Sequence, residues 1–174
     1  MGKIPIGGIK LGPRLHLLKI RHPPTGDPLR WNLWEKLTER KINLFYLTTV
    51  CTNTHVETAF CILQENEGPV WDLLHSDGRL KARVRLVPAV GPLSIFPHQY
   101  SFEMFGLSLS ALGKARIPLH GLASSVSSLT FLTDYDLLDS AAAAMLEFLE
   151  LPSGQAPIRQ PIPQPAENPE EIPV

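Results

Sequence analysis

The chain has 174 residues, 16 basic and 17 acidic side chains and a formal net charge of −1; it is long enough for one domain or two small ones and lacks the clustered basic footprint of a nucleic-acid binder. A globule of about 150 residues buries roughly 70% of its unfolded surface, so a core of this size needs no disulfide or metal. Two cysteines, Cys51 and Cys61, are too few for a disulfide framework or a complete zinc site, and both lie in apolar runs where a buried reduced pair is expected.

Residues 1–13 read as an N-terminal extension. MGKIPIGGIKLG has no apolar core of signal-peptide length, and Ile6 stands where a myristoylated chain needs Ser or Thr. No apolar run approaches the ~18 residues of a membrane span. The expectation is a cytoplasmic protein without a membrane partner. LHLLKIR (15–21) predicts a strand, and HPPTGDP breaks it. Asp27 suits an N-cap and Pro28 the first helical position. The helix that follows stripes Leu33, Trp34 and Leu37 on one side. LFYLTTVC (44–51) and ETAFCIL (57–63) predict a hairpin about a TNTHV turn. A short helix around Val70, Trp71 and Leu74 comes next, Ser76-Asp77-Gly78 stops it, and ARVRLV (82–87) predicts the last strand. The order is βαββαβ.

The second half repeats it. PLSIF (92–96) is a strand, Ser101 a cap, and Phe102, Phe105, Leu109 and Leu112 a helical stripe. HGLASSVSSLTFLTD supplies the hairpin, and Asp136 is expected to cap a helix striped by Leu138, Ala141, Met145 and Phe148. At an offset of 75 residues Ile20 falls on Ile95, Leu37 on Leu112 and Ile42 on Ile117; past the hairpin turn the offset is 71, with Phe60 on Phe131. The units are therefore 14–91 and 92–162, with the boundary near Gly91-Pro92. After Leu151 come seven of the chain's 17 prolines. Residues 156–162 read either as a proline-tolerant edge strand or as a linker, and 163–174 as an extended tail.

LWEKLTERKINLFYLTTVCTNTHVETAFCI (33–62) and its second copy LSALGKARIPLHGLASSVSSLTFLTD (109–134) resemble the paired regulatory ACT domains of aspartate kinases. The resemblance implies an α+β fold of two ferredoxin-like βαββαβ units packed side by side in one continuous sheet. It also implies a homodimer, and a small effector, usually an amino acid, held where the loop after the first strand faces the neighbouring unit. Those loops are His22–Asp27 and Pro97–Ser101. Free N–H groups ahead of a capped helix suit a ligand carboxylate. The family's asparagine after the helix corresponds to Asn43; its counterpart in the second unit is Pro118, which has no side-chain donor. The implied ligand set is Asn43, Thr48, Thr49, His22, Thr25 and Asp27 from the first unit, and His98, Gln99, Tyr100 and Ser101 from the facing loop. No kinase catalytic domain and no glycine-rich phosphate loop accompany these residues, so the module would act as a free-standing sensor or a regulatory partner in trans.

Other chemistries find little support. Ser124, Ser125, Ser127 and Ser128 lack a G-x-S-x-G elbow, and His120 and Asp134 stand at opposite ends of a predicted hairpin, where a triad contact would depend on register. They read as a solvated strand face and turn. His22, His98 and Asp27 have no metal-ligand spacing. Trp31 and Trp34 read as packing, or as the cover of a partner surface. Neither enzyme activity, a metal nor a cofactor is expected. The alternative to a sensor is a ligand-free dimerisation scaffold whose Pro-rich tail tethers a partner.

Overall fold

The computed structural model describes residues 2–24, 28–76, 82–97 and 101–161, with the side chains of 28–32 outside that description. In chain order it contains β1 (Ile4–Pro5), β2 (Gly8–Leu11), β3 (Leu15–His22), α1 (Pro28–Glu39), β4 (Tyr46–Cys51), β5 (Val56–Leu63), α2 (Glu67–His75), β6 (Val84–Phe96), α3 (Phe102–Lys114), β7 (Gly121–Ser124), β8 (Leu129–Asp134), α4 (Leu138–Leu146), β9 (Leu149–Glu150) and β10 (Ile158–Arg159).

The repeat extends to single hydrogen bonds. Helix α1 buries Leu33 and Leu37, and Trp34 sets its edge on Phe60 with ring centroids 5.5 Å apart. At its end Lys41 turns to φ 53°, its N–H donates to the Thr38 carbonyl at 2.9 Å, and the Ile42 N–H donates to that of Leu37 at 3.0 Å. Arg116, with φ 56°, closes α3 through the same pair of bonds, from Arg116 to Gly113 and from Ile117 to Leu112. Both are Schellman closures, with the apolar residue that follows folded back on the helix. The 3-10 turns Gln64–Asn66 and Tyr135–Leu137, which lead into α2 and α4, keep the offset of 71. Asp136 lies inside the second turn rather than capping α4: α4 starts without a side-chain cap, and Asp136 faces Arg14 at 3.7 Å. The tight 3-10 turn itself organises that entry.

One strand joins the two units. The sequence predicts separate strands at 82–87 and 92–96, whereas β6 runs unbroken for 13 residues. Its first half pairs with β3, giving the order β6-β3-β5-β4 in the first unit; its second half pairs with β8, which in turn pairs with β7. The register slips between Leu15 and Leu17 of β3, and on the β6 side Ala89 there has φ 53°. Pro92 survives in the middle of this sheet for a local reason. Its carbonyl accepts from Gly12 N–H at 2.8 Å. The missing N–H of the same residue faces Gly12, just past the end of β2, so only the last bond of that ladder is lost, and the proline ring packs where a Gly12 side chain would stand.

The slot beside β6 that completes the second unit is filled from the other end of the chain. β2 pairs antiparallel with Leu93–Phe96, and β10 adds outside it in parallel. The segment read as an N-terminal extension thus supplies β2 to the main sheet, and the described part of 156–162 supplies the two-residue edge strand Ile158–Arg159. β1 pairs with β9 and ties the start of the chain to the end of α4.

Strand alternation divides the core. Phe60 and Ile62 of β5 face α1 and α2, while Leu93, Ile95, Leu129 and Phe131 face α3 and α4. The opposite faces meet each other. Leu15, Leu17, Ala59, Cys61 and Leu63 of the first unit pack with Val90 and Leu132, and Ala123 closes over them. Cys61 is fully buried, but Cys51 is exposed on β4; the expected buried pair is therefore a single buried thiol. β4 is an edge strand and β5 an interior one, a difference set by pairing rather than by local hydropathy.

Candidate functional site

Where β3 ends, the first unit opens into a cavity of about 470 Å³ lined by Arg21, His22, Pro23, Thr54, His55, Ala82 and Arg83. The fold brings three elements to this spot: the end of β3, the β4–β5 turn and the segment entering β6. The turn is rigid. Thr52 Oγ1 accepts from the N–H groups of Thr54 (3.3 Å) and His55 (3.0 Å), and Thr52 N–H donates to the His55 carbonyl at 2.9 Å. His22 is only 8% exposed. Its Nε2 lies 3.5 Å from Thr58 Oγ1, and Thr58 Oγ1 lies 3.3 Å from Thr49 Oγ1. Arg21 pairs with Glu57 at 3.7 Å. Two guanidinium groups and two imidazoles around one opening suit an anionic group, with carboxylate recognised in a planar, two-bond fashion.

The second unit has a cavity at the matching end of its first strand, about 420 Å³, lined by Lys10, Ser94, Phe96, Pro97, Ser127, Ser128 and Gln160. Pro23 and Pro97, the described starts of the two loops, thus line separate cavities.

The residues singled out in the sequence scatter. His22 and Thr49 are linked through Thr58. Thr48 pairs with Ala59 and Thr49 with Thr58, so the two threonines point to opposite faces of β4. Asn43 is exposed on the α1–β4 connection and lines neither cavity. Pro118, its counterpart, accepts from Thr133 Oγ1 at 2.6 Å. Ser101 caps α3, its Oγ accepting from Met104 N–H at 3.1 Å. Thr25, Asp27, His98, Gln99 and Tyr100 lie outside the described residues. Sequence reasoning passed over Arg21, Thr54, His55 and Arg83. The βαββαβ order was the available signal, because it returns the hairpin turn to the end at which the first strand finishes.

The register also joins His120 to Asp134, Nε2 to Oδ1 at 2.6 Å, against the expectation from their sequence separation. Ser125 and Ser128 bond each other across the turn at the far end of β7 and β8, Oγ to Oγ at 2.9 Å. The His120–Asp134 contact is a part-buried hydrogen bond, with side-chain exposures of 22% for His120 and 45% for Asp134. Cys61 is no nucleophile, since burial pushes its thiol up to about 12, partly countered by Lys19. Among the described residues no cluster of three metal-binding side chains occurs, and no helix is long and apolar enough to cross a membrane.

No protein-family model and no curated protein sequence matches the chain significantly. Solved structures do. The chain is similar to the ligand-free regulatory subunit of aspartate kinase from Thermus thermophilus, with TM-score 0.70, 14% identity, 83% of this chain and 99% of that one covered. The corresponding subunit from Thermus flavus gives TM-score 0.69 and 14% identity over 82% and 97%. Against the aspartate kinase of Clostridium acetobutylicum the values are 0.69 and 8%, covering 83% of this chain and 35% of that enzyme. The shared feature is architecture: this chain has the α+β fold of the paired, ACT-type regulatory domains of aspartate kinases.

Proposed function

We propose that the chain is a non-catalytic regulatory module that binds a small effector, an amino acid, and acts as a free-standing sensor or on a partner protein in trans. The observation that carries this reading is the cavity at the end of β3, where Arg21, His22, His55 and Arg83 surround an opening of about 470 Å³. That lining supports recognition of a carboxylate. The likeness to whole regulatory subunits, which this chain covers almost completely, supports a module that works without a catalytic domain attached.

A thermal-shift screen over the common amino acids tests the reading. A ligand at 100 times its Kd stabilises the fold by about 2.7 kcal/mol, which moves the midpoint by roughly 5–10 °C at this size. No shift across the panel would sink the proposal. His22→Ala and Asn43→Ala locate the ligand. A shift lost only in the first keeps it at the end of β3; one lost only in the second moves it to the α1–β4 connection.

One observation favours a second reading, a dimerisation scaffold. β4 is an edge strand with no charge and no proline, and Leu47 and Val50 on it are 57% and 55% exposed. Such an edge is a template for pairing with a second copy. Light scattering should show a homodimer that Leu47→Lys dissociates; a monomer at all concentrations would remove this reading.

A further inference from the structure

The sheet face of the second unit that turns away from α3 and α4 carries a polar row built by three separated parts of the chain. Lys10 of β2 pairs with Ser94 of β6, Ser94 with Thr130 of β8, and Ile158 of β10 flanks Lys10 on the other side. Ser94 and Thr130 bond hydroxyl to hydroxyl at 2.7 Å. One row along, the tip of the Phe96 ring lies so close over Gly8 that a Cβ there would meet its Cζ at 2.5 Å. The Lys10 ammonium stands 4.9 Å from the centre of that ring. Lys10 forms no ion pair with a carboxylate among the described residues.

We infer that this cavity of about 420 Å³ is a binding site for a small hydroxy-carboxylate, separate from the site at the end of β3 and independent of the function proposed for it. Among the described lining residues Lys10 supplies the one positive charge for the carboxylate. Ser94, Ser128 and Gln160 offer hydroxyls and an amide that both donate and accept, matching a hydroxyl on the ligand. Phe96 and Pro97 give a flat apolar floor for the remainder. The class follows from what the wall lacks as well: among the described residues no Asp or Glu lines the cavity, and none pairs with its cation as Glu57 pairs with Arg21 at the end of β3. An amino acid's ammonium would lose water there without gaining a counter-charge, a cost that a hydroxyl at the same position escapes. Among the described residues the first unit has no equivalent wall, because Lys10 comes from β2, ahead of the repeat, and Gln160 follows β10 at the sheet edge.

The test uses a matched pair, L-3-phenyllactate and L-phenylalanine, which differ in the α-hydroxyl against the α-ammonium. Each is titrated into the ¹⁵N-labelled full chain while backbone amides are followed by NMR. Saturable shifts at Lys10, Ser94, Ser128 and Gln160 are expected with phenyllactate, and affinity weaker by about tenfold or more with phenylalanine, the scale of one charge-assisted contact. Lys10→Gln should remove the saturation while leaving amides of α1 and β5 in place, and Ser128→Ala should weaken it. Equal responses to both compounds, a linear response to phenyllactate, or saturation unchanged in Lys10→Gln would each overturn the proposal. Saturation by inorganic phosphate with none by phenyllactate would overturn the carboxylate assignment as well.

Discussion

The Tyr46 hydroxyl on β4 donates to the Leu122 carbonyl on β7 at 3.1 Å, across the boundary between the two units. Lys19 Nζ reaches the His120 carbonyl beside it at 3.2 Å. Two side chains of the first unit thereby bond the carbonyl of Leu122 on β7 and that of His120 just before it. β7 is covered in part from inside the chain, while its counterpart β4 forms the edge of the main sheet. The repeat is thus symmetric in fold and asymmetric in what it leaves open.

Tyr46→Phe should therefore destabilise the chain by about 1–2 kcal/mol, because it strands a part-buried carbonyl as well as losing one bond. Gly121→Ala should cost at least as much, since its Cβ would stand 2.8 Å from the Tyr46 hydroxyl. Urea unfolding of both variants checks this, and a wild-type midpoint for Gly121→Ala would show that the units are not pressed together here.

The helix ends make the opposite prediction. Lys41 and Arg116 occupy the left-handed region at φ 53° and 56°, where a Cβ costs roughly 1–2 kcal/mol. Glycine removes that cost, but also removes a cation that favours a helix C-terminus by 0.3–1 kcal/mol. The steric term is the larger, so Lys41→Gly and Arg116→Gly should each raise the thermal midpoint, and by similar amounts because the two closures are the same. A fall in both would mean that the charge outweighs the strain.

What the sequence reveals and conceals divides along the range of the interactions. The offsets of 75 and 71 are visible because side chains buried within one helix or hairpin repeat locally, and they reappear down to the Schellman closures. The partner of β6 at Leu93–Phe96 is invisible to such patterns. GIKL, only four residues near the start of the chain, fills a slot that periodicity assigns to the far end. The site behaves the same way. His22 is recognisable from its place after a strand, whereas Arg21, His55 and Arg83 meet it only through sheet order. That Thr48 and Thr49 point to opposite faces is legible from the sequence, since neighbours on a strand alternate.

The thiols should differ in reactivity and in their effect on alkaline stability. Cys51, exposed on β4, should react with a disulfide reagent in the native chain, and Cys61 only on unfolding. Burial raises the Cys61 thiol from an ordinary value of 9.0 to about 12, and Tyr46 is raised in the same direction, by burial and then by Cys61. Between those values the unfolded chain releases the thiol proton and the folded chain keeps it. Stability is therefore full below pH 9 and falls above it, by about 1.4 kcal/mol per pH unit for one proton. In Cys61→Ala the slope of unfolding free energy between pH 9 and 11 should flatten, leaving the part due to Tyr46; an unchanged slope would assign the alkaline loss elsewhere.

Completion of the second unit by the N-terminal strand gives the largest expected effect. Ile9 is fully buried and Leu11 and Ile6 nearly so, all within the core that α3 and α4 cover. Ile9→Ala should cost about 2–5 kcal/mol, the range for an aliphatic side chain deleted from a packed core. Lys10→Ala, on the opposite face of the same strand, should cost far less. Removing residues 2–11 strips β2 from β6 and exposes Leu93 and Ile95, so hydrogen exchange should accelerate in β6, β8 and α4 while β3, β5 and α2 keep their protection. Exchange that rose equally in both units would mean that β6 couples them into one cooperative block. Truncation after Gln155, which removes only the two-residue β10 from the described sheet, should leave the β6 amides protected.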